Sequence, residues 1–338
     1  MQTEHNVKLT ASEISQLWSA YMNSSMCKCI FTYFLETVED NQIRSILEQS
    51  LELADVHLKK LSEIFNKESY PIPQGFNVKN DVNMTAPRLF SDSFVLYFIK
   101  SMGEIALSFY AASKVLVVRS DIDQYFSECL SEMNKFDTMV KDVLLSKGIF
   151  IRSPYLNPPK EVRFVEQQNF LAGWLGKQRP LTAIEITNIF ANLQRNALGI
   201  VTMLGFSQVA KSAEVARFMA RGKEIASKHV EIFGSLLKEN DLPVPMAWAS
   251  NVTASKVPPF SDKMTMFMTT ALIALSIGFY GASMSVSARR DIAFHYVRLT
   301  AEIGEYAEDG ANIMIKNGWL EEPPLSEDRN KLANHKKG

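Results

Sequence analysis

Apolar residues recur along this chain every three or four positions, which is the spacing of one buried face on an α-helix. Between residues 43 and 65 they fall at Leu47, Leu51, Ala54 and Leu58. A strand would instead alternate apolar and polar residues with a period of two. The pattern therefore predicts a chain built from helices.

Capping residues and glycines predict where the helices begin and end. Thr10 precedes an apolar run and Glu13 follows three residues later, which is the pattern of a capping box at a helix start. Ser91 and Asp92 predict another start, Asp121 predicts a third, and glycine at position 148 is typical of a helix end. The predicted helices of the first half cover residues 11–38, 43–65, 92–118 and about 122–147.

The same arrangement occurs twice, because residues 9–148 recur, loosely, as residues 181–318. The corresponding residues include Thr10 and Thr182, Glu13 and Glu185, His57 and His229, Phe90 and Phe260, Tyr110 and Tyr280, and Gly148 and Gly318. Each half is therefore expected to form the same four helices.

The connection between the second and third helices decides the topology. It runs from about residue 66 to residue 91, contains three prolines, and is long enough to cross a whole bundle. The sequence thus predicts an all-α protein with two tandem ferritin-like four-helix bundles, each with a long crossover between helices 2 and 3. The predicted domains are a first bundle over 1–150, a linker over 151–180, a second bundle over 181–325 and a charged tail over 326–338.

Net charge and composition indicate which partners and which cellular compartment to expect. The net charge is −1 and the basic residues are scattered, so we expect no nucleic-acid partner and no membrane surface as partner. Three cysteines and an N-terminus without a secretion signal favour a cytoplasmic protein. Residues 264–288 are uncharged and long enough to span a bilayer, but the corresponding helix carries Lys100 and Glu104, which favours a buried helix instead.

Two histidines are the candidate site residues. Counting turns from the helix ends puts His57 of helix 2 at the height of Glu132 of helix 4, and His229 at the height of Glu302. Tyr110 falls near the same level. The register therefore predicts a buried His–Glu pair, with tyrosine beside it, made once in each bundle.

These pairs have two interpretations. A ferritin-like two-metal site needs Glu-x-x-His on two helices, but Ala54 and Ala226 stand three residues before the histidines. We therefore expect hydrogen-bonded core pairs without a cofactor. The alternative is a metal site for iron, manganese or zinc with His57, Glu132, His229 and Glu302 as ligands.

Several strings of the second half resemble one bacterial family. They are Arg179-Pro180-Leu181-Thr182, Gly205-Phe206-Ser207-Gln208-Val209-Ala210, Lys223-Glu224-Ile225-Ala226-Ser227-Lys228-His229, Pro259-Phe260-Ser261-Asp262-Lys263, Tyr306-Ala307-Glu308-Asp309-Gly310-Ala311 and Asn317-Gly318-Trp319-Leu320-Glu321. The chain is similar over nearly its whole length to a family of Bacillus and related Firmicutes known as domain of unknown function number thirty-two thirty-one. The resemblance implies a ferritin-like bundle, sometimes labelled spore-coat-like through kinship with coat F proteins, and implies no catalytic residues.

Taken together, these patterns predict a non-enzymatic structural or interaction protein, associated with the spore coat or with stress, whose partner is another protein or a second copy of itself. The first alternative is a degenerate ferritin-like metal-binding or redox protein. The second is a protein that binds an apolar small molecule between its helices. A roomy, dry cavity lined by methionine and phenylalanine would favour the second alternative.

Overall fold

The computed structural model describes residues 7–173, 178–244 and 251–334, and over these ranges the chain is helical. The helices are α1 (Ala11–Thr37), α2 (Asn41–Lys67), the short α3 (Val78–Asp81), α4 (Asp92–Leu116), α5 (Ser120–Ser146), α6 (Ala183–Val209), α7 (Ala213–Lys238), α8 (Asp262–Ser285), α9 (Arg290–Lys316) and the short α10 (Arg329–Asn334). Helices α1, α2, α4 and α5 form one four-helix bundle, and α6 to α9 form the other. The predicted fold class is confirmed.

Each bundle consists of two antiparallel hairpins. Helix α1 packs along α2 and α4 along α5, while α6 packs along α7 and α8 along α9. The connections within these hairpins are short, whereas the segments from α2 to α4 and from α7 to α8 are long. This is the topology that the long crossover predicted, with helices 2 and 3 of each bundle running parallel.

A glutamate holds the start of the first helix in each bundle. The side chain of Glu13 accepts hydrogen bonds from the Thr10 backbone N–H at 2.8 Å and its hydroxyl at 2.9 Å, which completes the predicted capping box. Its other oxygen accepts the backbone N–H of Arg119 at 2.9 Å. Glu185 does the same for Thr182, at 2.9 Å, and for Arg289, at 3.0 Å. One carboxylate therefore ties the start of helix 1 to the start of helix 4.

The two crossovers meet and join the bundles. Val82 pairs with Phe260, and Phe90 with Val252, as isolated antiparallel bridges. The Asn83 N–H donates to the Pro259 carbonyl at 2.8 Å. Rings from both copies pack behind these bridges, including Phe34, Phe90, Phe206 and Phe260. The long loops thus give the two copies a shared core.

Helices α4 and α8 are long and apolar enough to cross a membrane by length and composition. A core helix passes the same test, and both helices pack within their bundles against α5 and α9. Their buried residues include Phe94, Leu96 and Ile99 in α4 and Met264, Met266 and Met268 in α8. Burial in the bundles accounts for part of the apolar composition, since 44% of the apolar window of α4 and 39% of that of α8 is buried.

One local expectation differs from the structure. Helix 4 of each copy begins one residue before Asp121 or Asp291, so neither aspartate is the N-cap. Each instead pairs with the arginine two residues earlier, Arg119 at 2.8 Å and Arg289 at 2.6 Å. The tail contains the helix α10.

The domain bounds at residues 150, 180 and 325 stay predictions. Parts of the predicted first bundle, linker and tail lie outside the described residues, namely 1–6, 174–177 and 335–338. Residues 245–250 of the second crossover also lie outside them.

We expect Glu185→Gln to lower the free energy of unfolding by about 3 kcal/mol, because it leaves a partly buried arginine without its charge partner. The Glu185 carboxylate is fully buried and receives two hydrogen bonds from Arg179, both at 2.8 Å. Burial raises its pKa, but Arg179 and the backbone N–H groups of Thr182 and Arg289 outweigh burial and lower the pKa to about 2. Its contribution is therefore present above the ordinary pKa near 4.5 and lost as pH falls towards 2.

The matched control is Glu13→Gln, whose glutamate has the same capping contacts and no arginine ion pair. It should cost about 1 kcal/mol. Urea unfolding at neutral pH measures both variants, and equal losses would contradict the role assigned to Arg179.

Candidate functional site

The structure brings His57, Glu132 and Tyr110 together in the first bundle. Helix α2 carries His57, α5 carries Glu132 and α4 carries Tyr110. The His57 Nε2 atom lies 3.4 Å from the Glu132 Oε2 atom, and the ring centroids of His57 and Tyr110 are 6.0 Å apart. The histidine and the tyrosine are buried, while the glutamate is partly exposed.

The second bundle repeats the cluster with tighter contacts. The His229 Nε2 atom lies 3.3 Å from Glu302 Oε2, and His229 Nδ1 lies 2.9 Å from the Tyr280 hydroxyl. The Lys228 ammonium donates to both carboxylate oxygens of Glu302, at 2.8 and 3.0 Å. Asn196 donates to the Tyr280 hydroxyl at 2.7 Å, so every member of this cluster has a partner.

The electrostatics of the two clusters differ. Burial raises the pKa of Glu132, and the neighbouring charge of Glu128 raises it further. For Glu302 burial also raises the pKa, but Lys228 and His229 outweigh burial and leave the pKa below its ordinary value. Position 56 in the first copy, which corresponds to Lys228, is Val56. The first cluster therefore has no counterpart of the Lys228 ammonium, which neutralises Glu302 in the second cluster.

The first cluster also leaves buried polar atoms without hydrogen-bond partners. Among the described residues these atoms are His57 Nε2, Tyr125 Oη and Glu132 Oε2. The other ring nitrogen of His57, Nδ1, lies 3.5 Å from the Cys129 thiol. Burial raises the pKa of that thiol to about 12, so Cys129 is a neutral neighbour and not a reactive thiolate.

The donor set does not fit the two-metal centre that a ferritin-like fold implies. Such a centre needs bridging carboxylates next to the histidines, and the side chains one turn before His57 and His229 are the methyl groups of Ala54 and Ala226. Within residues 7–173, 178–244 and 251–334, no group of three or more His, Cys, Asp or Glu side chains is placed to hold a metal ion.

A partly open cavity of about 110 Å³, the first cavity, adjoins the first cluster. Its walls come from α1, α2, α4 and α5, and both His57 and Tyr110 line it. The apolar part of the wall includes Met26, Phe31, Leu53, Ile99, Met102 and Phe109. The cavity is therefore apolar with a few polar groups, which is the usual make-up of a small-molecule site.

A second cavity of about 110 Å³ lies at the corresponding place in the other bundle. Nearly all residues lining the first cavity have counterparts that line the second. For example, Cys27 corresponds to Gly199 and Tyr110 corresponds to Tyr280. The second cavity also reaches the first bundle, because Phe98, Ser101, Met102 and Ile105 of α4 line it. Met102 and Ile105 thus stand between the two cavities.

The sequence missed part of this site. Burial raises the thiol pKa of both Cys27 and Cys129, so both are neutral; Cys27 lines the first cavity and Cys129 contacts His57. The second copy has Gly199 and Leu299 at these positions, so the duplication gave no signal for either one. The apolar periodicity hid the cavities, because a residue that lines a cavity and one that fills a core show the same pattern.

The fold and the paired interior clusters define a tandem ferritin-like helical bundle. The chain belongs to the family described as "Protein of unknown function (DUF3231)", whose model matches residues 1–162 and 169–332. This confirms the family suggested by the sequence strings. No curated protein matches the chain.

A solved structure of a "putative spore coat protein" from Bacillus halodurans is similar to part of the chain. It is 18% identical, with a TM-score of 0.43, and the alignment covers 44% of this chain and 98% of the other. A similarity at that score supports no argument about function.

We expect the free energy of unfolding to rise with pH between about 5 and 7, because burial lowers the pKa of both His57 and His229. A histidine with a lowered pKa is neutral in the folded state and takes up a proton first in the unfolded state. Stability is therefore lost as pH falls below the ordinary value of 6.5. Each group contributes a slope of at most about 1.4 kcal/mol per pH unit.

Urea titrations at several pH values measure this slope. The double variant His57→Gln/His229→Gln should have a smaller slope, whatever its stability at pH 7. His295, whose pKa burial also lowers, contributes to the slope that remains. An unchanged slope in the double variant would show that neither histidine is held neutral.

Proposed function

We propose that this chain is a non-enzymatic bundle protein that binds a small apolar molecule in the interior of each bundle. The observation that supports the proposal is the pair of cavities, which lie at corresponding places in two copies whose side chains have diverged.

The lining residues have changed in ways that offset one another. Cys27 corresponds to Gly199, which is smaller, while Gly103 corresponds to Ile273, which is larger. Phe31 corresponds to Met203. Each bundle nevertheless has a cavity at this place. Divergence that keeps a cavity at corresponding places supports a use for it.

Empty space is unfavourable in a protein interior. Protein cores pack as densely as organic crystals, and residual cavities cost about 24 cal/mol per Å³. An enclosed, dry cavity of about 110 Å³ would cost on the order of 2–3 kcal/mol. These two cavities are partly open, so a bound apolar molecule would recover only part of that free energy. Engineered apolar cavities of roughly 150 Å³ stay dry and bind benzene or xenon, so the size suits a small ligand.

The polar groups at the walls give such a ligand an orientation. His57 and Tyr110 line the first cavity, and Tyr280 lines the second. The Tyr280 hydroxyl already bonds Asn196 and His229, whereas His57 Nε2 has no hydrogen-bond partner and is the group that a ligand in the first cavity would satisfy. A ligand with an apolar body and a single polar group matches this lining.

We expect Gly199→Leu to fill the second cavity and Gly103→Ile to fill the first. A Cβ atom at Gly199 would meet only Ala226 Cβ, at 4.0 Å, and one at Gly103 would meet the Phe136 ring at an ordinary 3.5 Å. Each variant should be more stable without ligand, by about 0.5–2 kcal/mol. Each should also lose one of two binding sites for a small neutral fluorophore such as indole, measured by titration of the full chain.

The control is Gly278→Leu, which makes the same change on a helix at an exposed position with nothing within 4 Å of a Cβ atom. It should leave both binding sites intact. The proposal would be wrong if the wild-type chain bound no apolar probe, or if both cavity variants bound it as the control does.

A purely structural or interaction role, in the spore coat or under stress, is the competing function. It requires helix surfaces and a stable core but no ligand. The same titration separates the two functions. A purely structural protein would become more stable in the cavity-filling variants, but the wild-type chain would bind no probe.

A mononuclear metal site is the other competitor, because His57 Nε2 and Glu132 Oε2 are both unpartnered and lie 3.4 Å apart. We expect no stoichiometric iron, manganese or zinc in protein purified from its native host without chelator, since two donors hold a metal weakly. Plasma mass spectrometry measures this. One or two equivalents per chain, lost in His57→Ala/His229→Ala, would replace our proposal with a metal-binding function.

A further inference from the structure

Arg195 of α6 occupies an unusual place beside the second cavity. It lines that cavity and also a surface cleft between α4 and α6, whose other residues include Tyr97, Lys100, Glu104 and Gln194. The side chain is partly buried. Its position makes Arg195 the junction between an apolar interior and a polar opening.

The guanidinium of Arg195 is held in place without a carboxylate. Its central carbon lies 3.8 Å from the centre of the Phe279 ring, which fixes the plane of the group. One N–H points to the Asn192 side-chain oxygen at 3.3 Å. A guanidinium has five N–H donors, and over the part of the chain that the structure describes Arg195 has no ion pair within 4.0 Å. Its other donors are therefore available to a ligand.

One negative charge on a ligand would neutralise the charged side chains around the opening. Glu104 forms its ion pair with Lys100, at 2.5 Å, and its charge also raises the pKa of Arg195, while burial lowers that pKa. These three side chains together have a net charge of +1. A partly desolvated cation needs an anion, and a monoanion would bring the local charge to zero.

We propose that the second cavity binds an amphipathic monocarboxylate, with the carboxylate on Arg195 and the apolar tail inside the bundle. This inference rests on the proposed function and names the ligand class of one of its two sites. The tail would lie among Leu198, Met203, Ile225, Leu272 and Ile303. Guanidinium and carboxylate match as a planar, bidentate pair, which favours a carboxylate over an alcohol or an amine.

The two copies differ at this position in a way that assigns separate specificities. The counterpart of Arg195 is Asn23, which lines the first cavity and has no charge. The first cavity is therefore the site for a neutral ligand and the second the site for an acid. Met102 and Ile105 line both cavities, so a longer tail that displaces Met102 would reach from the second towards the first.

The test is isothermal titration of the full chain with octanoate and with octanol, both below the concentrations at which they aggregate. In the wild-type chain octanoate should bind one site about tenfold or more tighter than octanol, as expected for one charge-assisted pair. Arg195→Asn, which installs the residue of the first copy, should abolish this preference and leave octanol binding within about twofold of wild type. Arg217→Asn, which removes an exposed arginine outside both cavities, should keep the preference.

Three outcomes are distinct. If octanoate and octanol bind equally, or if Arg195→Asn keeps the preference, the carboxylate assignment is wrong although apolar binding stands. If Gly103→Ile abolishes octanoate binding and Gly199→Leu does not, the assignment to the second cavity is wrong. If neither octanoate, octanol nor the neutral fluorophore binds, the proposed function fails together with this inference.

Discussion

The capping glutamate of each first helix is the interaction on which the bundle geometry depends. Glu13 and Glu185 bind the N-cap residue of their own helix and also the backbone N–H at the start of helix 4, more than a hundred residues later. Both carboxylates are buried. Because one side chain fixes two helix starts, the heights of helices 1 and 4 are set together. The hairpins then fix helices 2 and 3, and with them the level at which histidine, tyrosine and glutamate meet.

The crossovers add the second constraint, since they join one copy to the other. Their bridges, Val82 with Phe260 and Phe90 with Val252, bring α4 against α6. This contact supplies the α4 side of the second cavity and the cleft in which Arg195 stands. The second bundle alone would not have that wall. The duplication therefore produced a site that neither copy contains by itself.

The two histidine clusters show how the copies have diverged on one frame. Asn196 bonds the tyrosine of the second cluster as Ser24 bonds that of the first, but Lys228, which bonds Glu302, corresponds to the apolar Val56. The first cluster keeps orphaned polar atoms next to its cavity, and the second is closed by its own partners. A buried polar group without a partner is costly, which supports a ligand-related role for the first cluster and a structural role for the second.

The sequence by itself determined the helices, the crossover topology and the meeting of His57 with Glu132, because capping boxes, glycine stops and short hairpins are local signals that fix helix ends and therefore relative heights. The duplication strengthened each of these expectations by showing it twice. The tertiary structure alone decided the cavities, the contact of Cys129 with His57 and the place of Arg195 beside α4. These depend on how each helix is rotated and on how two distant crossovers pair, and side-chain spacing along one helix contains no information about the surface that another helix presents to it.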